Sequence, residues 1–406
     1  MNRPGLLVRL EAARAAREQT GLLRRARTCE SLGGARRMID GRVLIDFCGN
    51  DYLGLAGHRD LIAAMSRSAF AEGVGTGAAH LVSGHRGEHA ALEEELADWT
   101  GRERAVLFST GVMANLGALQ ALLGAGAMPS PGKPAALCVQ DRLNHASLLD
   151  GAHLAGAELR RYRHGDAQAA ARQLDTRPDL PALVATDGVF SMDGDIAPLA
   201  ELARVCHARQ ATLYVDDAHG LGVLGPEGAG SVAAAGLDAS AVPVLMGTLG
   251  KALGSAGAFV AGDAAVIEAI VQFARSYIYT TAMPAALAAS TRAALRLVRR
   301  DPEGRRERLR ENIARFRAGA AQIGLSLMPS PTAIQPLLIG GADDAMAAAR
   351  ALEAAGFLVV AIRPPTVPRG AARLRITLSA THTPDRIDGL LDALAALPRP
   401  RQDVAV

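Results

Sequence analysis

The sequence predicts an α/β protein: a mostly parallel sheet between helices, followed by a smaller α+β lobe. Three observations predict it. From about residue 100, short apolar runs alternate with helix-like segments. The runs are apolar at consecutive positions, the pattern of strands buried on both faces. Polar residues able to do chemistry collect just beyond these runs, where open α/β sheets bind ligands.

The first stretch, "MNRPGLLVRLEAARAAREQTGLLRR", is basic but interrupted by Glu11 and Glu18. It has no apolar core and no small-residue cleavage site, so it reads as an amphipathic helix and not a signal or transit peptide. The N-terminal residues are expected to pack with the C-terminal lobe. The sheet strands then follow in order: "AVLF" (105–108) leads to "STGVMANLGALQALLG", "ALCV" (136–139) to "QDRLNHASLLDGAHLAG", and "ALVAT" (182–186) through a polar loop to "PLAELARVCHAR". "TLYV" (212–215) leads to "DDAHG", "VPVLM" (242–246) to "GTLGKALG", and "AFVAG" (258–262) follows. The Pro/Gly stretch "GAGAMPSPGKP" (124–134) reads as a surface loop. Beyond residue 300 come an Arg/Glu-rich helix, a strand at "AIQPLLIG" (333–340), another helix, and strands within "FLVVAIRPPTVP" (357–368) and "RLRITLSA" (373–380). The expected division is 1–55 packing with the small domain, 56–297 as the large domain and 298–406 as the small one.

Composition narrows the function. The net charge of the 406-residue chain is +3, and its one basic stretch, "RRDPEGRRERLREN" (299–312), reads as a solvated helix face, so no nucleic-acid partner is expected. No apolar run is long enough to span a bilayer, so no membrane partner is expected either. Cys29, Cys48, Cys138 and Cys206 are widely spaced without a Cys-x-x-Cys pair, which excludes a disulfide framework and a zinc site and suits the reducing cytoplasm. "GLGVLG" (220–225) matches a dinucleotide-binding fingerprint, but "PEGAG" follows it where a helix must open. His85 and His89, spaced for one helix face, and His80 before them could approach a metal. No acidic or Cys ligand is patterned with them, and no metal is expected.

Four features remain. Asp216 ends the run "TLYVD"; it is either a turn cap or a counter-ion for a cationic ring nitrogen. Lys251 sits among glycines and small residues in "GTLGKALG". It reads as a solvated lysine or as a Schiff-base lysine made nucleophilic by desolvation, with Gly250 and Gly254 admitting a flat cofactor close to the backbone. "FSTGVMAN" (108–115) runs from strand to small residues to helix, the form of an anion site. His145, Asp187 and Ser191 follow other strand ends. Together these supply what pyridoxal phosphate requires: a lysine for its aldehyde, a carboxylate for its ring nitrogen, a phosphate cradle and a histidine to stack on the ring.

With these residues in view, the chain resembles the α-oxoamine synthase family of fold type I pyridoxal-phosphate enzymes. The likeness runs through "NDYLGLA" (50–56), "LVSGHRGEHAALEEELADW" (81–99), "NHASLLDGAHL" (144–154), "DGVFSMDGDIAPL" (187–199), "VDDAHGLGVLG" (215–225), "GKALG" (250–254), "RPPTVPRG" (363–370) and "RLRITLSATHT" (373–383). The resemblance implies a seven-stranded sheet in the large domain and a homodimer with its site at the interface. It implies that Lys251 carries the cofactor, Asp216 pairs with the ring nitrogen, His145 stacks on the ring and His219 bonds the ring oxygen. Gly111 and Val112 would hold the phosphate, with Ser191 and Thr248 also facing the cofactor. Arg375 would grip the amino-acid carboxylate, and Arg24, Asn50, Arg363 and Thr366, with His145, would contact substrate. The implied reaction is decarboxylative condensation of L-alanine with a pimeloyl thioester of acyl carrier protein or coenzyme A. A sister synthase taking glycine, serine or another thioester, and a non-catalytic subunit of the same fold, are the alternatives. The sequence departs from the family in three places: Asp187 replaces a glutamate, Val112 replaces an aromatic residue, and "GTGAAHLVSG" (75–84) lacks a Gly-Ser pair.

Overall fold

The computed structural model describes residues 5–124 and 134–398. All but the ends of the Pro/Gly stretch 124–134 lies outside them. The chain opens with helix α1 (Leu6–Gln19), then a meander of β1 (Cys29–Ser31), β2 (Arg36–Ile39) and β3 (Arg42–Asp46), then α2 (Arg59–Glu72) and α3 (Gly87–Thr100). The α/β unit follows: β4 (Arg104–Phe108), α4 (Gly111–Gly124), β5 (Leu137–Asp141), α5 (Ala146–Leu154), β6 (Glu158–Tyr162), α6 (Ala167–Leu174), β7 (Ala182–Asp187), α7 (Leu199–Ala208), β8 (Thr212–Asp216), α8 (Gly230–Ala234), β9 (Val244–Thr248) and β10 (Ala258–Gly262). Helices α9 (Ala264–Phe273), α10 (Arg275–Ile278), α11 (Ala285–Arg300) and α12 (Arg305–Gln322) lead to the last elements. These are β11 (Ile334–Gly340), α13 (Ala342–Ala354), β12 (Phe357–Leu358), β13 (Val360–Ile362), β14 (Ala372–Thr377) and α14 (Pro384–Ala395).

Seven strands form the large sheet in the order β4-β10-β9-β8-β7-β5-β6. All pairings are parallel except those of β10, which runs antiparallel to β4 and β9. Strands β5, β8, β9 and β10 are buried along nearly their whole length, as their unbroken apolar runs require. The edge strand β6 was not foreseen. Its sequence, "ELRRY", has the charged, half-exposed character of an edge, not the apolar run of a central strand.

Two small sheets complete the fold, β1-β2-β3-β12 and β11-β14-β13. The apolar stretch read as one strand region near 357 is divided between them. β12 pairs in parallel with β3, Phe357 opposite Ile45, while β13 pairs antiparallel with β14. Phe47 stacks on His382 at 3.9 Å, so the N-terminal meander closes against the C-terminal segment. The basic stretch 299–312 is not one helix face. The αL residues Asp301 and Gly304 separate α11 from α12, and Arg299 pairs with Asp98 and Glu227. No helix opens in the glycine stretch 220–225, which ends in a single 3₁₀ turn at Pro226–Gly228. Among the described residues, no helix is long and apolar enough to cross a membrane.

Candidate active site

The carboxyl ends of β4, β5, β7, β8 and β9 open into one cavity of about 200 Å³. Lys251, Asp216, His219, His145, Asp187, Ser191, Thr248, Gly111 and Val112 line it, so the fold brings the strand-end residues together. Thr110, Asn115, Ser147, Val189, Ala218 and Met246 complete the wall.

Lys251 Nζ lies 2.9 Å from His219 Nε2, and His219 Nδ1 lies 2.6 Å from the Tyr52 hydroxyl. That hydroxyl is 3.3 Å from Asn50 Oδ1, which also accepts from Arg375 Nη2 at 3.3 Å. Burial, then the charges of Lys251, Arg375 and His145, hold His219 well below the usual imidazole range. A neutral His219 protonated on Nδ1 satisfies the whole chain: Lys251 donates to His219, His219 to Tyr52, and Tyr52 to Asn50. Burial brings Lys251 down to about 8, although Asp216 and Asp187 oppose the shift. Tyr52 is pushed up to about 12 by burial.

Asp216 faces the cavity while Asp217, the next residue, points away and accepts from the Ser231 N–H at 2.6 Å. The Asp216 carboxylate accepts from Asn115 Nδ2 at 2.8 Å and from the Ala218 N–H at 3.0 Å. Asn115 also donates to Ser147 Oγ at 2.8 Å and accepts from the Tyr214 hydroxyl at 2.8 Å. Ser147 Oγ lies 2.7 Å from His145 Nδ1. Asn115 thus ties the carboxylate to the histidine. Sequence reading missed it, with Ser147 and Tyr52, because it sits in the second turn of α4 without any signal beyond its polarity.

Asp187 accepts from the His145 N–H at 3.1 Å. Burial and the neighbouring Asp216 raise its carboxyl well above the usual range. Helix α4 starts at the cavity, with the Thr110 hydroxyl accepting from the Met113 N–H at 3.1 Å. The N–H groups of Gly111 and Val112 open the helix and have no partner within it. Thr248 Oγ1 donates to the Gly257 carbonyl at 3.2 Å.

Two expectations need correction. Gly250 and Gly254 do not line the cavity. Gly254 adopts φ +64°, and a Cβ there would lie 2.3 Å from Ala56 N, so it serves a turn packed on the 55–56 segment. His85 does not share a helix face with His89, because α3 begins only at Gly87. His80, His85 and His89 do gather, with ligand atoms within 4.8 Å of one another. Both ring nitrogens of His89 are nevertheless taken by the Arg86 N–H and the Met283 carbonyl, each at 2.8 Å.

Arg375 is buried beside the cavity. Its Nε donates to the Ser191 carbonyl at 2.7 Å, and Nη1 donates to Thr377 Oγ1 at 3.1 Å. Arg24, Arg363 and Thr366 are not among the residues lining the cavity: Arg24 and Thr366 are exposed, and Arg363 donates to the Gly21 carbonyl.

The sequence model of the family described as aminotransferase class I and II matches residues 42–394. Among curated proteins, the 8-amino-7-oxononanoate synthase of Alkalilimnicola ehrlichii is 57% identical over 97% of this chain and 98% of its own. That of Methylococcus capsulatus is 58% identical over 91% and 93%. Among solved structures, the serine palmitoyltransferase from S. paucimobilis with bound PLP–myriocin aldimine matches at a TM-score of 0.89 and 30% identity, covering 97% and 98% of the two chains.

Proposed function

The chain belongs to the aminotransferase class I and II family, and from that premise we propose that it carries out the 8-amino-7-oxononanoate synthase reaction of biotin biosynthesis. The observation that carries the reading is identity at 57% of positions over 97% of this chain and 98% of a curated synthase. In this reaction L-alanine and a pimeloyl thioester give 8-amino-7-oxononanoate, carbon dioxide and the free thiol of the carrier, which is acyl carrier protein or coenzyme A.

The donor set fits pyridoxal phosphate. The Lys251 amine bonds a neutral imidazole and no carboxylate, which leaves it free for an aldehyde. Asp216 accepts only from an amide and a backbone N–H, and a protonated ring nitrogen would supply the cation its burial calls for. The first N–H groups of α4 suit the phosphate; the Thr248 hydroxyl, which donates to the Gly257 carbonyl, would have to turn from it to join them. When bound, the cofactor takes up the amino group of alanine and delocalises the electron pair left at its α-carbon.

The chain's own residues do the rest. Lys251, near 8, is a base matched to neutral pH and takes the α-proton. His219 receives a hydrogen bond from that amine and keeps it aimed. Asp216 would hold the proton on the ring nitrogen, and Asn115 holds Asp216. His145, fixed by Ser147, would stack on the ring. Arg375 receives the alanine carboxylate, for which a planar guanidinium is suited. Asn50, Arg24, Arg363 and Thr366 are the remaining candidates for substrate contact.

The reading also makes the protein a cytoplasmic homodimer. Its four cysteines are free, which suits a reducing compartment. Phe70, Val74, Val82 and Tyr279 are 90%, 86%, 81% and 72% exposed, more apolar surface than isolated side chains account for. Segments 78–79 and 281–282 are joined by a β-bridge and a backbone bond, which brings Val82 and Tyr279 into one region. A second copy would cover it.

The deciding experiment offers alanine, glycine and serine, each with pimeloyl and acetyl thioesters, to the purified protein with pyridoxal phosphate, and follows thiol release. Release with alanine and the pimeloyl thioester alone is expected. Turnover with glycine, serine or the acetyl thioester would move the protein to a sister activity. Protein that binds no cofactor and releases no thiol would be a non-catalytic subunit.

A further inference from the structure

The turn after β7, residues 188–196, passes from the cavity to the C-terminal lobe. Ser191 and Val189 line the cavity on one side. On the other, the Ser191 carbonyl accepts from Arg375 Nε, Asp193 pairs with Arg373, and the Gly194 carbonyl accepts from Ser330 Oγ and Thr332 Oγ1, both at 2.9 Å. Gly194 is held at φ +73°, where a Cβ would lie 2.3 Å from the Ile334 carbonyl.

One side chain fastens this turn to the large sheet. His164, two residues beyond β6, places Nδ1 3.0 Å from Asp141 Oδ1 and Nε2 2.9 Å from Asp195 Oδ2. Asp141 ends β5, and Asp195 belongs to the turn. The ring also meets Phe190 of the turn edge-on, with centroids 4.5 Å apart. Both nitrogens face carboxylates, so both carry protons and the ring is a cation. Burial opposes that charge, but the hydrogen bonds to Asp141 and Asp195 overcome it and raise the ring to about 10. The other oxygen of Asp195 is buried and has no partner, so His164 is the donor on which this carboxylate depends.

We propose that His164 is a positioning residue for the amino-acid substrate: by clamping the 188–196 turn between Asp141 and Asp195, it fixes the Ser191 carbonyl that orients Arg375. This rests on the reading that Arg375 receives the substrate carboxylate. Three of the five N–H directions of that guanidinium are committed to Ser191, Thr377 and Asn50, which leaves two for a carboxylate. A shift of the turn moves the first of these anchors and misaims the fork. Lys251, Asp216 and the start of α4 lie off the turn, so the cofactor stays bound.

The test uses full-length holoenzyme as parent, His164→Gln, Asp195→Asn and the double variant. Affinity for amino acids and for ethylamine, which is alanine without its carboxylate, is read from the absorbance of the bound cofactor. His164→Gln is expected to weaken amino-acid binding by about tenfold, the loss set by charge-assisted hydrogen bonds, with ethylamine binding and cofactor stoichiometry unchanged. Asp195→Asn should do the same, and the double variant should be no worse than either single one. Hydrogen exchange in residues 188–196 should quicken. Unchanged amino-acid affinity, or equal weakening for ethylamine, overturns the proposal. The parent's preference among alanine, glycine and serine tests the substrate reading separately, and the clamp is then judged with whichever amino acid the parent binds.

Discussion

The amine of Lys251 is held near 8, so about a tenth of it is neutral at pH 7 and about nine tenths at pH 9. Only the neutral amine attacks an aldehyde. The rate at which apoenzyme captures pyridoxal phosphate should therefore rise about tenfold between those pH values, as followed by absorbance. Asn115→Ala removes a donor to Asp216 and strands the Tyr214 hydroxyl, and kcat should fall by about 10- to 100-fold while the fold is kept. The His164 clamp makes a prediction of opposite sign. Its ring is raised from 6.5 to about 10, so in the folded enzyme the charged clamp is intact through neutral pH and is lost as pH rises through about 10. Referred to the unprotonated form of each amine, amino-acid affinity relative to ethylamine should decline there, and in His164→Gln it should not. The strand-end residues around the cavity stood out in the sequence because each is a polar group placed after an apolar run. Asn115, Ser147, Tyr52 and His164 did not, because they act through another side chain, and polarity alone does not say which side chain a residue will bond.

At the scale of elements, the central strands were legible and their directions were not. An unbroken apolar run states that both faces are buried, but β10 reads the same as its parallel neighbours while running the other way. Strand β6 escaped notice because an edge needs no apolar run, and the divided stretch at β12 and β13 because one run can serve two sheets. Helix contacts near the site are close enough to test. A Cβ on Gly151 of α5 would lie 2.9 Å from Leu119 Cδ1 and 3.0 Å from the Asn115 carbonyl, both on α4. Gly151→Ala should cost about 1–3 kcal/mol in denaturant unfolding and loosen the Asn115–Ser147 bond between the two helices.

For the molecule as a whole, acid should act through buried neutral histidines. Burial pushes His80 and His382 down to about 4, the first also through His89 and His85. Between 6.5 and 4 the unfolded chain binds protons that the folded chain refuses, so the melting temperature should fall as pH drops across that window. His382→Gln should flatten part of this decline, since the His382 ring links the Ser379 N–H to the Asp46 carbonyl. The assembly predicts a separate outcome: Phe70→Asp with Val82→Asp should shift the protein from dimer to monomer in light scattering.

The reversed strand β10 has one more effect. Because it returns beside β9, the segment carrying Lys251, residues 249–257, is pinned at both ends within one sheet. In the proposed role of Lys251, the amine on such a short tether would stay beside the site once an amino acid is bound. It remains at an effective concentration that no free amine in solution reaches. A product amine would therefore face a permanent internal competitor, and the return of the lysine would add to dilution in driving its departure.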